Sequence, residues 1–163
     1  MVMGVVVSHS DATEKVLSSV SAAVGSYDET LTKPPSCWRS TESTTTTTPD
    51  NIFVFCDGVS ETQFEQVKEK EIPLIQAAIK KVSKSCNLSV FVIQKIHHTR
   101  FMLTQSRRSH SYNVPSGTVV DRSIVEPFYD AFYLNSHFSL QGTSKPTKYI
   151  CLLDELQMAT DEL

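Results

Sequence analysis

With 163 residues, 40% of them apolar, the chain has material for one moderate hydrophobic core and no more. Fifteen Lys and Arg against eighteen Asp and Glu leave a formal charge of −3, which excludes a uniformly basic nucleic-acid binder. No apolar run approaches the roughly 18 residues of a membrane-spanning helix. The N-terminus also lacks a basic leader region, so a cytoplasmic or nuclear protein without membrane association is expected.

Residues 2–7 read as a first buried strand, 20–27 as a second with small alternating side chains, and 36–41 as a short third. A low-complexity segment at about 42–50 follows, with five consecutive threonines from Thr44 to Thr48, and reads as a polar loop. Residues 52–56, IFVFC, form an unbroken run of β-formers, the pattern of a strand buried on both faces. Asp57 and Gly58 stop it. Ser60 and Gln63 then make an S-x-x-Q capping box that opens a helix over about 60–83. Its apolar stripe is Phe64, Val67, Leu74, Ile75, Ala78, Ile79 and Val82, with a kink expected near 69–73 at Pro73.

Residues 88–96 return as a buried strand, 100–104 read as its hairpin partner, and 105–112 as a basic polar loop. Residues 131–134 and 148–153 are further strands, with a partial helix after Asp154. Strands, a long helix and more strands make an α/β domain with helices over a mixed central sheet. Of the four cysteines (Cys37, Cys56, Cys86, Cys151) no two form a C-x-x-C pair, and two lie in apolar runs, the usage of reduced, buried thiols.

Charge is unevenly spread. From Ile72 to Val120 there is no acid, while Lys80, Lys81, Lys84, Lys95, Arg100, Arg107 and Arg108 contribute seven positives, so the rest of the chain carries −10. One basic, phosphate-facing surface on an otherwise acidic domain is the expectation. Asp57, an acid where a buried strand ends and a helix begins, sits at the rim where α/β folds place their chemistry.

The words spelling these elements resemble the Argonaute/Piwi family. Asp57-Gly58-Val59-Ser60-Glu61-Thr62-Gln63-Phe64 is similar to its D-G-V-S-E-x-Q-F, and Gln94-Lys95-Ile96-His97-His98-Thr99-Arg100 to its Q-K-R-H-H-T-R. Asn113-Val114-Pro115-Ser116-Gly117-Thr118-Val119-Val120-Asp121 resembles N-I-P-A-G-T-T-V-D. Tyr133-Leu134-Asn135-Ser136-His137 with Gln141-Gly142-Thr143-Ser144-Lys145-Pro146 resembles Y-L-x-S-H-x-x-x-Q-G-T-S-R-P. The resemblance implies a single partial PIWI domain over 1–163, with a ribonuclease-H-like mixed sheet incomplete at its C-terminus and without the domains that grip the guide ends.

In that family four side chains hold the two metal ions of an RNA-cleaving site, since two divalent ions about 3.5–4 Å apart need several carboxylates. Here Val6 stands where the first Asp is expected, with Asp11 five residues on. The threonine run replaces the segment bearing the Glu, although Glu42 lies beside it, and the fourth position would fall beyond Leu163. Only Asp57 remains, and an acid before a helix start also has a capping role worth about 0.3–1 kcal/mol. The expectation is no metal, no cofactor and no cleavage.

The family's guide-phosphate contacts map onto Lys95, Arg100, His137 and Lys145, with Ile96 in place of an Arg; His98 and Gln141 complete the candidate set. His97 and His98 lack Cys or carboxylate partners at ligand spacing and read as packing beside a strand end, one of them near nucleic acid; His9 and His110 read as surface residues. The resulting expectation is weak binding of guide or single-stranded RNA in small-RNA silencing. Two alternatives stay open. One is an interaction module for silencing-complex proteins, since tryptophan-bearing partners of the family dock near the end of the long helix, where this chain offers Val82, Ser83 and Cys86. The other is a non-functional partial gene product.

Overall fold

The computed structural model describes residues 1–8, 20–26, 49–83, 85–104, 113–139 and 141–157. The expected strand at 36–41, the threonine run, the whole basic loop 105–112 with Arg107, Arg108 and His110, and also His9, Asp11, Cys37, Glu42 and Lys84 lie outside them. Among the described residues seven strands are hydrogen-bonded in the order β2-β1-β3-β4-β7-β6-β5: β1 Val2–Ser8, β2 Val20–Gly25, β3 Asn51–Asp57, β4 Asn87–Gln94, β5 Thr118–Val120, β6 Ala131–Asn135 and β7 Thr147–Asp154. The sheet is mixed. β1 pairs antiparallel with β2 and parallel with β3, while β6 pairs antiparallel with both β5 and β7. By internal contacts the chain divides into two compact units, Met1–Val92 with Leu152–Gln157, and one built on Ile93–Cys151. Among the described residues no helix is long and apolar enough to cross a membrane.

In the first unit the core is Ile52, Val54 and Cys56 from β3, Leu88, Val90, Phe91 and Val92 from β4, and Phe64, Val67 and Ile72 from the helical segment. Each of the larger side chains contributes about 1.5–3 kcal/mol on burial. Burial on β3 alternates, and Phe53 and Phe55 are only half-buried. The double-sided burial expected there belongs instead to β4, where Leu88 to Val92 are all withdrawn from water. On the half-buried face of β3, Phe55 stacks on Phe91 of β4, 5.6 Å between centroids. Burial holds the Cys56 thiol up at about 11, so it stays protonated, as expected of a structural cysteine.

The helical segment opens at the capping box, where Gln63 Oε1 accepts the Ser60 N–H at 3.1 Å. It runs through α1 (Phe64–Gln66), a π turn over Val67–Glu71, and α2 (Ile72–Val82). Pro73 has no N–H to offer Glu69, and it enters in the first turn of α2, where none is needed. The interruption expected at 69–73 thus takes the form of a π turn, with the Ile72 N–H donating to the Val67 carbonyl five residues back. The extra residue per turn rotates everything downstream. Ile72 takes the buried place after Val67, and Leu74, expected in the stripe, is 71% exposed.

The start of β4 is clamped by the end of β7. Glu155 accepts the Leu88 N–H at 2.9 Å and the Gln76 amide of α2 at 2.7 Å, and returns its own N–H to the Leu88 carbonyl at 3.1 Å. The fully buried Ser89 hydroxyl donates to Asp154 at 2.6 Å. These commitments explain why residues 155–157 bend rather than begin the expected helix.

In the second unit β6 and β7 carry the core of Ala131, Phe132, Tyr133 and Ile150, with Val114 beside it. Phe132 stacks on Tyr149 at 5.0 Å and 8°. Lys148, 7% exposed, is neutralised by an ion pair with Glu126. The hairpin partner expected at 100–104 is reduced to one bridge between Met102 and Asn113. There the Arg100 guanidinium takes up the carbonyls of His97 and Thr99, at 3.1 and 2.6 Å. β5 was not anticipated, because three residues are too short for an alternation signal.

The π turn makes a direct prediction. Phe64→Ala should cost about 3–5 kcal/mol, and Leu74→Ala no more than about 0.5 kcal/mol, read from urea midpoints. Equal losses would mean that both side chains face the core.

Candidate functional site

The two groups of candidate residues lie in different units. In the first, the parallel register sets Val6 opposite Asp57 on neighbouring strands, the juxtaposition that the motif order requires despite their distance in sequence. Asp57 is half-buried and closes β3. Gly58 follows at φ 84°, a left-handed conformation that turns the chain from strand to capping box at no steric cost. Among the described residues no three or more His, Cys, Asp or Glu side chains converge as a metal site would require.

The second unit carries Lys95, His98, Arg100, His137, Gln141 and Lys145, all exposed except the half-buried Arg100. Lys95 follows directly on β4, and it is close enough to Tyr149 to offset part of the rise that burial imposes on that phenol. Arg100 is held by its two carbonyl contacts, so the turn after β4 and the guanidinium direction are set together. His97 makes the decisive link. Its Nε2 bonds the Pro146 carbonyl at 2.9 Å, and its ring meets Tyr133 edge-on at 5.3 Å. Segment 95–100 is thereby fastened to the segment bearing Lys145.

His137 and Gln141 lie on the loop between β6 and β7. There His137 Nδ1 meets the Ser136 hydroxyl at 2.7 Å, and the Gln141 carbonyl accepts from Ser139 at 2.9 Å. The structure thus joins Lys95, His98, Arg100 and Lys145 on two linked segments, with His137 and Gln141 on the approach to the second. Ile96, between Lys95 and His97, is fully exposed. Sequence reasoning placed His97 beside the strand end without seeing its partner, and missed Asn113, which binds the backbone of residues 142 and 144. The signal for Asn113 was its place at the head of the N-V-P-S-G-T-V-V-D word.

The fold is a mixed-sheet α/β domain with these candidate residues on one unit, and comparison with known proteins gives it a family. Residues 2–163 match the sequence profile of the Piwi domain, and the chain belongs to that family. It is 44% identical over 116 residues to protein argonaute 7 of Arabidopsis thaliana, and 44% identical over 118 residues to protein argonaute 2 of Oryza sativa subsp. japonica. Each match covers 71% of this chain but only 11% of the relative, so the chain spans about a tenth of the curated relatives.

In structure it is similar to the C-terminal lobe of a budding yeast Argonaute, with TM-score 0.81, 28% identity, and cover of 98% of this chain and 39% of that one. It is also similar to Kluyveromyces polysporus Argonaute with a guide RNA, with TM-score 0.76, 28% identity, and cover of 98% and 23%. The expected ribonuclease-H-like α/β fold is therefore the observed one.

His97 also supplies a pH dependence. Burial pulls its pKa below the ordinary value; the Pro146 bond opposes that, while Arg100, Lys148 and His98 reinforce it. The folded state then binds this proton less readily than the unfolded chain. The stability tied to neutral His97 is fully present above the unfolded pKa of about 6.5 and is lost as pH falls through the folded value. Melting temperatures taken from about pH 8 down to about pH 5 should decline below about pH 6.5, and less steeply in His97→Gln. Identical profiles would remove His97 as the cause.

Proposed function

We propose that this chain is a cleavage-inactive PIWI-type domain that holds guide or single-stranded RNA weakly, by its phosphates, within small-RNA silencing in the cytoplasm or nucleus. The observation that carries the RNA reading is the hydrogen bond from His97 to Pro146, which fastens the Lys95–Arg100 segment to the Lys145 segment. A strand of regularly spaced phosphates is the ligand that such a set of cations, exposed at Lys95 and Lys145 and half-buried at Arg100, fits. The likeness to an Argonaute solved with a guide RNA supports the same ligand class. Inactivity is supported by residue type. The position in register with Asp57 is a valine, which cannot ligate a metal, and a lone carboxylate cannot fix two divalent ions.

A second reading, a docking module for silencing proteins, draws on one observation. An apolar pocket of about 260 Å³ lies at the C-terminal end of α2, lined by Met1, Pro49, Ile52, Ile79 and Cys86 among others. It falls below the roughly 300–1,000 Å³ of small-molecule sites, which suits a single side chain of a partner better than a ligand.

Two outcomes follow. The purified chain should not cut a guide-paired RNA in Mg²⁺ or Mn²⁺; metal-dependent cleavage that Asp57→Ala abolishes would overturn the inactive reading. Binding to a short 5′-phosphorylated RNA should be about micromolar or weaker, with a log–log salt slope of about −0.7 per phosphate contacted. Replacing both Lys95 and Lys145 by Ala should flatten that slope by about 1–2 units. A folded chain that binds no RNA at low salt would leave the docking reading in its place.

A further inference from the structure

The loop that presents Lys145 is gripped on both sides of that residue by side chains from distant parts of the second unit. Asn113 Nδ2 donates to the Gly142 carbonyl at 2.8 Å, and Asn113 Oδ1 accepts the Ser144 N–H at 3.0 Å. One amide thus closes a two-point bridge over the turn that Gly142 makes at φ 76°. On the far side His97 Nε2 holds the Pro146 carbonyl at 2.9 Å. The backbone groups immediately before and after Lys145 are therefore both committed. Ser144 and Pro146 are buried, while Lys145 stands exposed between them.

The chemistry of the two clasps is specific. A carbonyl only accepts, so Nε2 must carry the proton, and Nδ1, buried without a partner, carries the lone pair. Asn113 uses its donor and its acceptor at once, which an ionised Asp, having acceptors alone, does not reproduce. A lysine ammonium is a point charge on a flexible stem, so the direction in which it is offered depends on the backbone beneath it. A loop ordered before binding does not have to be ordered by the ligand.

We infer that Asn113 and His97 are positioning residues, which shape the 142–146 loop in advance so that Lys145 reaches the same RNA strand as Lys95 and Arg100. The inference rests on the phosphate reading proposed above, and the test separates the two. Amide hydrogen exchange is measured across 141–149 in the full chain, together with the salt dependence of binding to a fluorescein-labelled, 5′-phosphorylated oligouridylate. Asn113→Ala and His97→Phe, the latter keeping a ring against Tyr133, should each speed exchange at Ser144 or Lys145 about tenfold or more. Each should also flatten the salt slope by about 0.7, the loss of one phosphate contact.

His97→Gln, which keeps an N–H donor, should restore both readings. Asn113→Ala combined with Lys145→Ala should flatten the slope no further than Lys145→Ala alone, because both remove the same contact. Faster loop exchange with an unchanged slope overturns the positioning role and leaves the phosphate reading standing. Additive flattening in the double variant also overturns it, since it signals a general loss of structure. A wild-type chain that is folded by circular dichroism yet binds no RNA overturns the phosphate reading and this role with it. Should one clasp variant fail to fold, the other clasp, on a different segment, decides the same question.

Discussion

Five consecutive side chains, Leu88 to Val92, are withdrawn from water on both faces of one strand, and most of the architecture answers to that constraint. A strand buried in this way needs sheet neighbours along both edges, since an open edge would leave buried N–H and C=O groups unpaired. β4 accordingly lies fourth of seven, between β3 and β7. Its one fully buried polar side chain, Ser89, is satisfied by Asp154, and the N–H and carbonyl of Leu88 at its start are met by one carboxylate oxygen and the N–H of Glu155. Without those acids at the end of β7, the strand would begin with buried polar groups left unpaired, at about 1–3 kcal/mol each.

The same end of β7 reaches α2 through Gln76, so the helix is registered on the sheet by a polar contact as well as by its apolar side. That side is not a single α-helical stripe. The proline that cannot donate is accommodated by a π turn upstream, and the turn changes which residues face the core. A covalent property of one residue, the missing N–H of Pro73, thus decides that Ile72 is buried and Leu74 is not. The apolar pocket beside Ile79 lies on the downstream part of the same helix.

In the second unit, cations are set in place by neutral bonds. Arg100 is oriented by carbonyls, His97 by a carbonyl and a tyrosine ring, and Lys145 by the backbone that Asn113 and His97 hold on either side. Among the described residues the one buried cation, Lys148, is paired with Glu126, apart from the candidate contacts. Of the cations proposed to meet phosphate, Lys95 and Lys145 are exposed and Arg100 is half-buried, on a scaffold of uncharged contacts.

The amino-acid sequence alone determined the strands carried by unbroken apolar runs, the capping box at Ser60 and Gln63, the place where Pro73 interrupts the helix, and the family. These are local matters, written in side-chain period, in caps and in contiguous words. It also named the six candidate RNA contacts, because each sits inside such a word. Tertiary structure alone decided the rest. That β4 rather than β3 is buried on both faces depends on which strand takes the centre of the sheet. That residues 100–104 make one bridge instead of a strand depends on where the fold lets Met102 meet Asn113. That His97 and Asn113 meet the loop of Lys145 depends on contacts spanning 49 and 29 to 31 residues. No periodicity records such distances, for a polar side chain can bond any backbone group that the fold brings within about 3 Å of it.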